Sequence, residues 1–213
     1  MYSIGQIKII KMHPLLSNPN EWQFIDKKLN LLYPYYTETA LEIICYFDFS
    51  EKRVLELGMG ASTIWWSKKA KSVVSVDDNE FWYNIVLEGL KEKNCSNVET
   101  IFADSFDSYT MPLRLPQMGC FDVIIVDGSF RKECLELISK QNLVEGGMVI
   151  FDNFEFAPEV TEIPILRTNE VHIFAQANHY YWRTAIWHIK NFEFLTDNHE
   201  LNSLNQKKRR GML

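Results

Sequence analysis

The stretch VLELGMGAST, at positions 54 to 63, constrains the fold of this chain more than any other. An apolar run leads into a turn that contains Gly58 and Gly60, and helix-forming residues follow the turn. A second apolar run, VVSVDD, then carries Asp77 near its end, seventeen residues after Gly60. Strand, tight turn, helix and acid-tipped strand are the opening of a doubly wound α/β fold that binds nucleosides, in which the acid accepts hydrogen bonds from ribose hydroxyls. We therefore predict a nucleoside-binding crevice at this turn.

The turn departs from the pattern that binds dinucleotides. In GxGxxG, three glycines and a helix N-terminus face a pyrophosphate. Here Thr63 replaces the third glycine, and Glu56 stands two residues before Gly58. A carboxylate at that position repels a pyrophosphate but suits a ligand that bears an ammonium and a sulfonium. This ExGxGxS/T form resembles the first motif of class I S-adenosylmethionine-dependent methyltransferases.

The resemblance implies a set of cofactor-binding residues at the turn and at the tips of the strands. The family places an acid or polar residue after strand three to meet the adenine amino group, and in VETIFADSF that residue is Asp104. An Asp at such a place otherwise starts a loop or caps a turn. Trp82 either lines the pocket or belongs to the core. The residues expected to bind S-adenosylmethionine are Glu56, Gly58, Gly60, Ser62, Thr63, Asp77, Asp104 and Ser105.

Length and composition predict one α/β unit without a polyanionic partner. The chain has 213 residues, of which 46% are hydrophobic and 23% charged, as in ordinary globular domains. Its net charge of −6 disfavours duplex nucleic acid as a partner. The four cysteines lack zinc-ligand spacing and suggest reduced thiols. Because we find no membrane-span pattern and no signal-peptide core, we expect a cytoplasmic location.

The middle of the chain alternates strands and helices. Apolar runs such as VIIV and MVIF are typical of central parallel strands that are covered on both faces. We predict an α/β fold with a doubly wound, mostly parallel sheet and helices on both faces. The predicted strands are 53–57, 72–76, 97–103, 121–127 and 147–152, and the helices between them are 62–70, 79–93 and 130–142.

Both ends of the chain add further elements. Segments 21–33 and 37–47 predict an N-terminal helical layer, with Thr37 as an N-cap. In many small methyltransferases such a layer covers substrate or forms a homodimer contact. Segments 170–176 and 179–190 predict a terminal antiparallel hairpin. The predicted units are a helical extension at 1–50, the cofactor-binding domain at 51–200 and a flexible, basic tail at 201–213.

Three oxygen-bearing side chains follow strands four and five. Asp127 ends FDVIIVD, and Asp152 and Asn153 end GMVIFDN, so parallel pairing would bring them to one rim. Two carboxylates and an amide oxygen suit Mg²⁺ or another hard divalent cation. The arrangement resembles the metal site of the catechol and caffeoyl-coenzyme A O-methyltransferase group, where the metal lowers the pKa of the acceptor hydroxyl.

Metal-independent relatives with a VDG…R and GG…DN pattern resemble this chain as well. In that interpretation Asp127 is the catalytic base, and Arg131 either clamps an anionic part of the substrate or is a surface residue of its helix. The metal set Asp127, Asp152 and Asn153 and the metal-free set therefore both stay open. His172, His179 and His188 are further candidates for a general base, each also compatible with a structural role.

The function that these features favour is methyl transfer from S-adenosylmethionine to an oxygen of a small-molecule or saccharide acceptor. Two alternatives remain. An aminopropyl transferase of the spermidine synthase type would use the same fold with a decarboxylated cofactor. A scaffold protein would bind the cofactor without turnover.

Overall fold

The computed structural model describes residues 34–167, 169–176 and 181–187. Four of the predictions above lie outside these ranges: the helix at 21–33, the tail at 201–213, and the candidate bases His179 and His188. Among the described residues, no helix combines the length and the apolar character that crossing a bilayer requires.

The described strands form one sheet, with five parallel strands followed by an antiparallel pair. Their order across the sheet is β3-β2-β1-β4-β5-β7-β6, and β7 runs antiparallel to both β5 and β6. This confirms the predicted fold class, including the terminal antiparallel hairpin. The strands are β1 (Arg53–Leu57), β2 (Ser72–Asp77), β3 (Val98–Phe102), β4 (Phe121–Val126), β5 (Leu143–Asp152), β6 (Val171–Ala175) and β7 (Arg183–Trp187).

Helices cover both faces of the sheet. Neighbouring residues of each central strand point to opposite faces, so apolar residues on both faces are buried under helices. Val54 of β1 packs into one buried cluster with α1 and α2, whereas Leu55 packs into a second cluster with α4 and α5. The helices are α1 (Glu38–Ile44), α2 (Ala61–Ser67), α3 (Glu80–Glu92), α4 (Phe106–Arg114), α5 (Arg131–Leu137) and α6 (Pro164–Arg167). Short 3₁₀ turns occupy Pro116–Met118, Phe154–Phe156 and Pro158–Glu162.

Helix α1 begins after Thr37 as predicted, but the cap comes from elsewhere in the chain. The Thr37 side chain makes no capping hydrogen bond. Instead the Thr37 N–H donates to Thr184 Oγ1 and the Glu38 N–H donates to Gln176 Oε1, both over 2.9 Å. These side chains satisfy N–H groups at the start of the helix that lack intrahelical partners. The start of α1 is thereby attached to the terminal hairpin.

Two boundaries differ from prediction after strand four. Helix α5 ends at Leu137, because Asn142 folds the following loop back by donating to the carbonyl oxygens of Leu113 and Leu137. Strand β5 starts at Leu143 rather than at 147, and the predicted glycine turn is an irregularity inside the strand. Gly146 adopts a φ of 72° there, which a glycine tolerates without strain.

Helix α4 was not predicted from the sequence. Pro112 lies inside it and interrupts the pattern that would have indicated a helix. The helix forms because Ser105 caps its first turn and because Tyr109 and Leu113 are buried against the sheet. Packing and capping therefore outweigh the local cost of the proline. The position of α4 matters for the site, since Tyr109 reaches the loop after β4.

Candidate cofactor and acceptor site

A cavity of about 360 Å³ opens at the carboxyl ends of β1, β2 and β4. The strand order reverses between β1 and β4, and open α/β sheets bind their ligands at such a point. Of the described residues that line the cavity, three are carboxylic acids and none is basic. The lining consists of Tyr35, Gly58, Met59, Gly60, Ala61, Ser62, Asp77, Asp78, Asn79, Trp82, Asp127, Gly128 and Ser129.

Gly58 holds the floor of the cavity in a conformation that only glycine adopts easily. Its φ is 111°, and a Cβ at this position would lie 2.6 Å from Gly128 Cα. A Cβ on Gly128 would in turn lie 2.6 Å from Gly58 Cα and would overlap the Tyr109 hydroxyl. The loops after β1 and β4 therefore touch backbone to backbone. The predicted tight turn at Gly58 is present, while the matching demand on Gly128 was not foreseen.

Gly60 also lines the cavity, but the protein itself places no steric demand on it. Its φ of −173° is ordinary extended backbone. A Cβ at this position would meet only Ser62 Oγ, at the comfortable distance of 3.6 Å. If glycine is required at this position, the reason must be something bound in the cavity. The predicted close approach of a ligand to this backbone stays a prediction.

Glu56 lies behind the turn and is not one of the residues lining the cavity. It is fully buried, and its Oε2 accepts hydrogen bonds from Thr63 Oγ1 at 2.5 Å and Ser75 Oγ at 2.6 Å. The Thr63 hydroxyl oxygen also accepts the Gly60 N–H, at 3.1 Å. Burial raises the pKa of Glu56 to about 7, although the neighbouring hydroxyl donors oppose this rise. Glu56 and Thr63 therefore support the turn from behind the cavity, whereas the adjacent Ser62 is one of the residues that line it.

Asp77 lines the cavity but is more deeply buried than a strand tip would suggest. Only 7% of the residue is exposed, and its two oxygens accept backbone N–H groups of Met59 and Asn79, each over 2.7 Å. Burial raises the pKa of Asp77, against the effect of these donors. Asp77 thus joins the ends of β1 and β2 to α3. The neighbouring Asp78 is exposed to the cavity and accepts a hydrogen bond from Ser129 Oγ at 3.0 Å.

Asp104 and Ser105 do not line the cavity described above. Ser105 is the N-cap of α4, and Asp104 Oδ1 accepts hydrogen bonds from the hydroxyls of Ser105 and Ser108. These donors lower the pKa of Asp104. Ser105 thus caps the helix, and Asp104 binds the two serine hydroxyls at its start, which resembles the alternative interpretation of this acid. Their predicted contact with adenine stays a prediction.

The predicted rim is present, and an arginine side chain lies within it. Arg131 donates to the backbone oxygens of Gly128, Asp127 and Asp152 and to Asn153 Oδ1, at 2.7 to 2.8 Å. Its Nη2 lies 3.3 Å from Asp127 Oδ1. Arg131 is therefore partly buried, and its guanidinium is engaged by the protein rather than directed into the cavity.

The two rim carboxylates differ in environment. Asp127 lines the cavity with about a quarter of its side chain exposed. Asp152 is buried, and its oxygens accept Thr184 Oγ1 at 2.5 Å and Trp182 Nε1 at 3.1 to 3.2 Å. Burial and the neighbouring Asp127 raise the pKa of Asp152, and burial likewise raises that of Asp127 despite Arg131.

These contacts do not fit the predicted divalent-metal site. The oxygens of Asp152 and Asn153 that would coordinate a metal already accept hydrogen bonds, and a guanidinium occupies the position of the positive charge. In the part of the chain that the structure describes, no group of three or more His, Cys, Asp and Glu side chains is arranged to hold a metal ion. In this structure the predicted metal set Asp127, Asp152 and Asn153 is part of an arginine-centred cluster, and metal binding by these three residues stays a prediction.

Several cavity residues escaped the sequence analysis. Tyr35 and Met59 carried no signal, whereas Gly128 directly follows a strand-ending acid and could have been recognised as a close-approach glycine. Trp82 lines the cavity, which decides between its two interpretations. His172, a candidate base, lies on β6 with its Nε2 3.6 Å from Glu170 Oε1, and it is not among the residues lining the cavity.

No family model matches this sequence, and the search of curated proteins gave no match either. Solved structures are similar in fold. Precorrin 8w decarboxylase of Methanobacterium thermoautotrophicum matches with a TM-score of 0.56 and 19% identity, over 73% of this chain and 90% of that chain. Precorrin-6y C5,15-methyltransferase of Geobacter metallireducens gives 0.53 and 13%, over 70% and 86%.

A third similar structure is fibrillarin of Aeropyrum pernix with natively bound S-adenosyl-L-methionine. It matches with a TM-score of 0.53 and 11% identity, over 72% of this chain and 75% of that chain. At such identities the similarity concerns the fold alone. The chain has the Rossmann-like fold of class I S-adenosylmethionine-dependent methyltransferases, with the cavity at the switch point of its sheet.

Proposed function

We propose that this protein is an S-adenosylmethionine-dependent methyltransferase that methylates an oxygen of a small-molecule or saccharide acceptor. The observation that carries the proposal is the charge of the cavity at the switch point. Asp77, Asp78 and Asp127 line it, and none of the described lining residues is basic. Such a surface repels a pyrophosphate and attracts a ligand that combines positive charge with hydroxyl groups.

The cofactor half of the cavity would be formed by the ends of β1 and β2. Asp77 would accept ribose hydroxyls through lone pairs that its two backbone donors leave available, with Asp78 beside it. The backbone from Gly58 to Ser62 would line the amino acid portion, and Met59 and Trp82 supply apolar walls. S-adenosylmethionine would supply a methyl group already activated by its sulfonium, so the protein needs no covalent nucleophile.

The acceptor half would centre on Asp127, the only one of the three acids that belongs to β4 and its loop. Its half-buried carboxylate would accept the proton of the acceptor hydroxyl. The acceptor oxygen forms its bond to the methyl carbon while the carbon–sulfur bond breaks. Holding these groups in line and excluding water is the main contribution left to the protein.

The aminopropyl transferase and scaffold alternatives are separated from this proposal by their products. The three cavity carboxylates would also attract an amine. For this reason the aminopropyl transferase is kept as the second candidate function. An aminopropyl transferase would consume decarboxylated S-adenosylmethionine and putrescine and leave hydroxyl acceptors unmodified. A scaffold would bind S-adenosylhomocysteine and modify none of these acceptors.

Calorimetry with S-adenosylhomocysteine and NAD, followed by a transfer assay, tests the proposal. We expect S-adenosylhomocysteine to bind and NAD not to bind. We expect labelled methyl from S-adenosylmethionine to appear on hydroxyl compounds from a panel of catechols and simple saccharides. Affinity for NAD without affinity for S-adenosylhomocysteine would refute the cofactor assignment, and transfer only of an aminopropyl group would replace the reaction.

A further inference from the structure

The Arg131 side chain collects five oxygen atoms from the ends of β4 and β5. Nε donates to Gly128 O over 2.8 Å. Nη1 donates to Asp152 O over 2.7 Å and to Asn153 Oδ1 over 2.8 Å. Nη2 donates to Asp127 O over 2.7 Å and lies 3.3 Å from Asp127 Oδ1. Four hydrogen bonds and one ion pair therefore engage all three nitrogens of the guanidinium.

The backbone around Arg131 is bent to bring these oxygens together. Phe130, which precedes Arg131, and Asn153, which contributes its amide oxygen, both have left-handed conformations with φ of 51° and 55°. Non-glycine residues rarely adopt this conformation and do so at a cost. Among the described residues only Asn94 shares it. The bent backbone therefore coincides with the arginine-centred cluster.

Carboxylate, amide and backbone carbonyl oxygens are also the ligands that hard divalent cations select. In this chain they surround a positive charge that is covalently part of the protein. Arg131 is not among the residues that line the cavity, and each of its three guanidinium nitrogens bonds to the protein, so it is not placed to contact the acceptor. Its influence on the reaction can only pass through the groups it holds, and of these Asp127 lines the cavity.

We propose that Arg131 is the resident cation of this site, standing where a divalent metal would stand, and that it positions Asp127 for the acceptor. This inference rests on the function proposed above. Arg131 fixes Asp127 through both its backbone oxygen and its carboxylate, and it joins Asp127 to the end of β5. Methyl transfer in this protein then needs no divalent ion.

Two measurements on the full-length protein test the cluster without any acceptor. The first is electron paramagnetic resonance with Mn²⁺ alone, which should give the same spectrum with the wild-type protein and with Asp127→Asn. A bound Mn²⁺ signal that is lost in Asp127→Asn would overturn the proposal.

The second is a double-mutant cycle of Arg131→Gln and Asp127→Asn in denaturant unfolding. It should give a coupling of about tenfold or more in the folding equilibrium. The exposed pair Lys132 and Glu159, 3.5 Å apart and also involving α5, is the matched control. Its coupling should stay below about fivefold, and equal coupling in both pairs would contradict the assigned role.

A third measurement separates positioning from a merely structural role. With a hydroxyl acceptor from the panel, chelator should leave turnover unchanged. Arg131→Gln should lower kcat by about 10- to 100-fold with little change in KM for S-adenosylmethionine, as expected for a group that supports another. Arg131→Lys should restore part of kcat, whereas Lys132→Gln should behave as wild type. Chelator sensitivity that Mg²⁺ reverses, or full kcat in Arg131→Gln, would refute the inference. Absence of S-adenosylhomocysteine binding would instead refute the proposed function.

Discussion

Gly58 and Gly128 touch through their backbones, with either added Cβ only 2.6 Å from the other residue's Cα. The contact joins the loop after β1 to the loop after β4, across the point where the strand order reverses. The loop after β4 is also hydrogen-bonded to the end of β1, because the N–H groups of Asp127 and Gly128 both donate to Leu57 O. The floor of the cavity therefore depends on two positions that accept no side chain.

Gly58→Ala and Gly60→Ala should separate the needs of the fold from the needs of the ligand. Gly58→Ala forces a Cβ into Gly128 at a φ of 111° and should lower the free energy of unfolding by more than about 1 kcal/mol. Gly60→Ala should leave stability nearly unchanged and still weaken S-adenosylhomocysteine binding. Denaturant unfolding and calorimetry measure the two effects. Normal affinity in a folded Gly60→Ala variant would show that no ligand approaches this backbone closely.

Asp77→Ala should lower both stability and cofactor affinity. The substitution leaves the N–H groups of Met59 and Asn79 without their acceptor, at a cost of about 1–3 kcal/mol for a buried group. Loss of the ribose contact should weaken S-adenosylhomocysteine by about tenfold or more. The control is Asp78→Ala, whose exposed carboxylate accepts one hydrogen bond from Ser129 Oγ and whose loss should cost little stability. A larger loss of affinity in Asp78→Ala would assign the ribose to Asp78.

Glu56 should make the protein less stable as pH rises through neutrality. Its pKa in the fold is about 7, against an ordinary value of 4.5, so the unfolded chain ionises first. The contribution of Glu56 to the free energy of unfolding is therefore fully present below about pH 4.5. It falls by on the order of 3 kcal/mol as the pH rises to about 7. Urea unfolding between pH 5 and 8 measures the slope. Glu56→Gln should reduce the slope without abolishing it, because burial also raises the pKa values of Asp77, Asp127 and Asp152. An identical slope in the variant would assign the dependence to those other groups.

Thr184→Val should destabilise the terminal hairpin and the start of α1 together. The valine keeps the shape but leaves the Asp152 carboxylate without its shortest donor and the Thr37 N–H without its acceptor. We expect a loss of about 2 kcal/mol or more in unfolding free energy. Thr184→Ser retains the hydroxyl and should lose only about 0.8 kcal/mol for the missing methyl group. Equal losses in the two variants would mean that the hydroxyl contributes nothing.

The strands were predictable because each central strand is mostly apolar and is followed by a residue typical of turns. The bounds of β1 were predicted to the residue, and those of β2 and β4 to within one. Helix α4 was missed because Pro112 opposes it locally, while Tyr109 and Leu113 are held by long-range packing. Local patterns do not carry that information.

The site was predicted less completely than the fold, because strand position fixes which end of the sheet a residue reaches but not where its side chain points. Asp77 and Asp127 were correctly expected at one edge and line the same cavity. Glu56 points instead toward Thr63 and Ser75. The spacing of Asp127, Asp152 and Asn153 likewise did not reveal that Arg131 turns inward among them.

The insertion of β7 between β5 and β6 has a consequence for the order in which the protein matures. Strand β6 precedes β7 in the chain but contacts the sheet only through it. During synthesis, β6 can therefore join the sheet only after residues 183–187 have left the ribosome. Strand β7 also carries Thr184, which hydrogen-bonds to the start of α1 and to Asp152. A partly synthesised chain can thus build the Gly58 turn and the β4 loop before β7 completes the surroundings of Asp152.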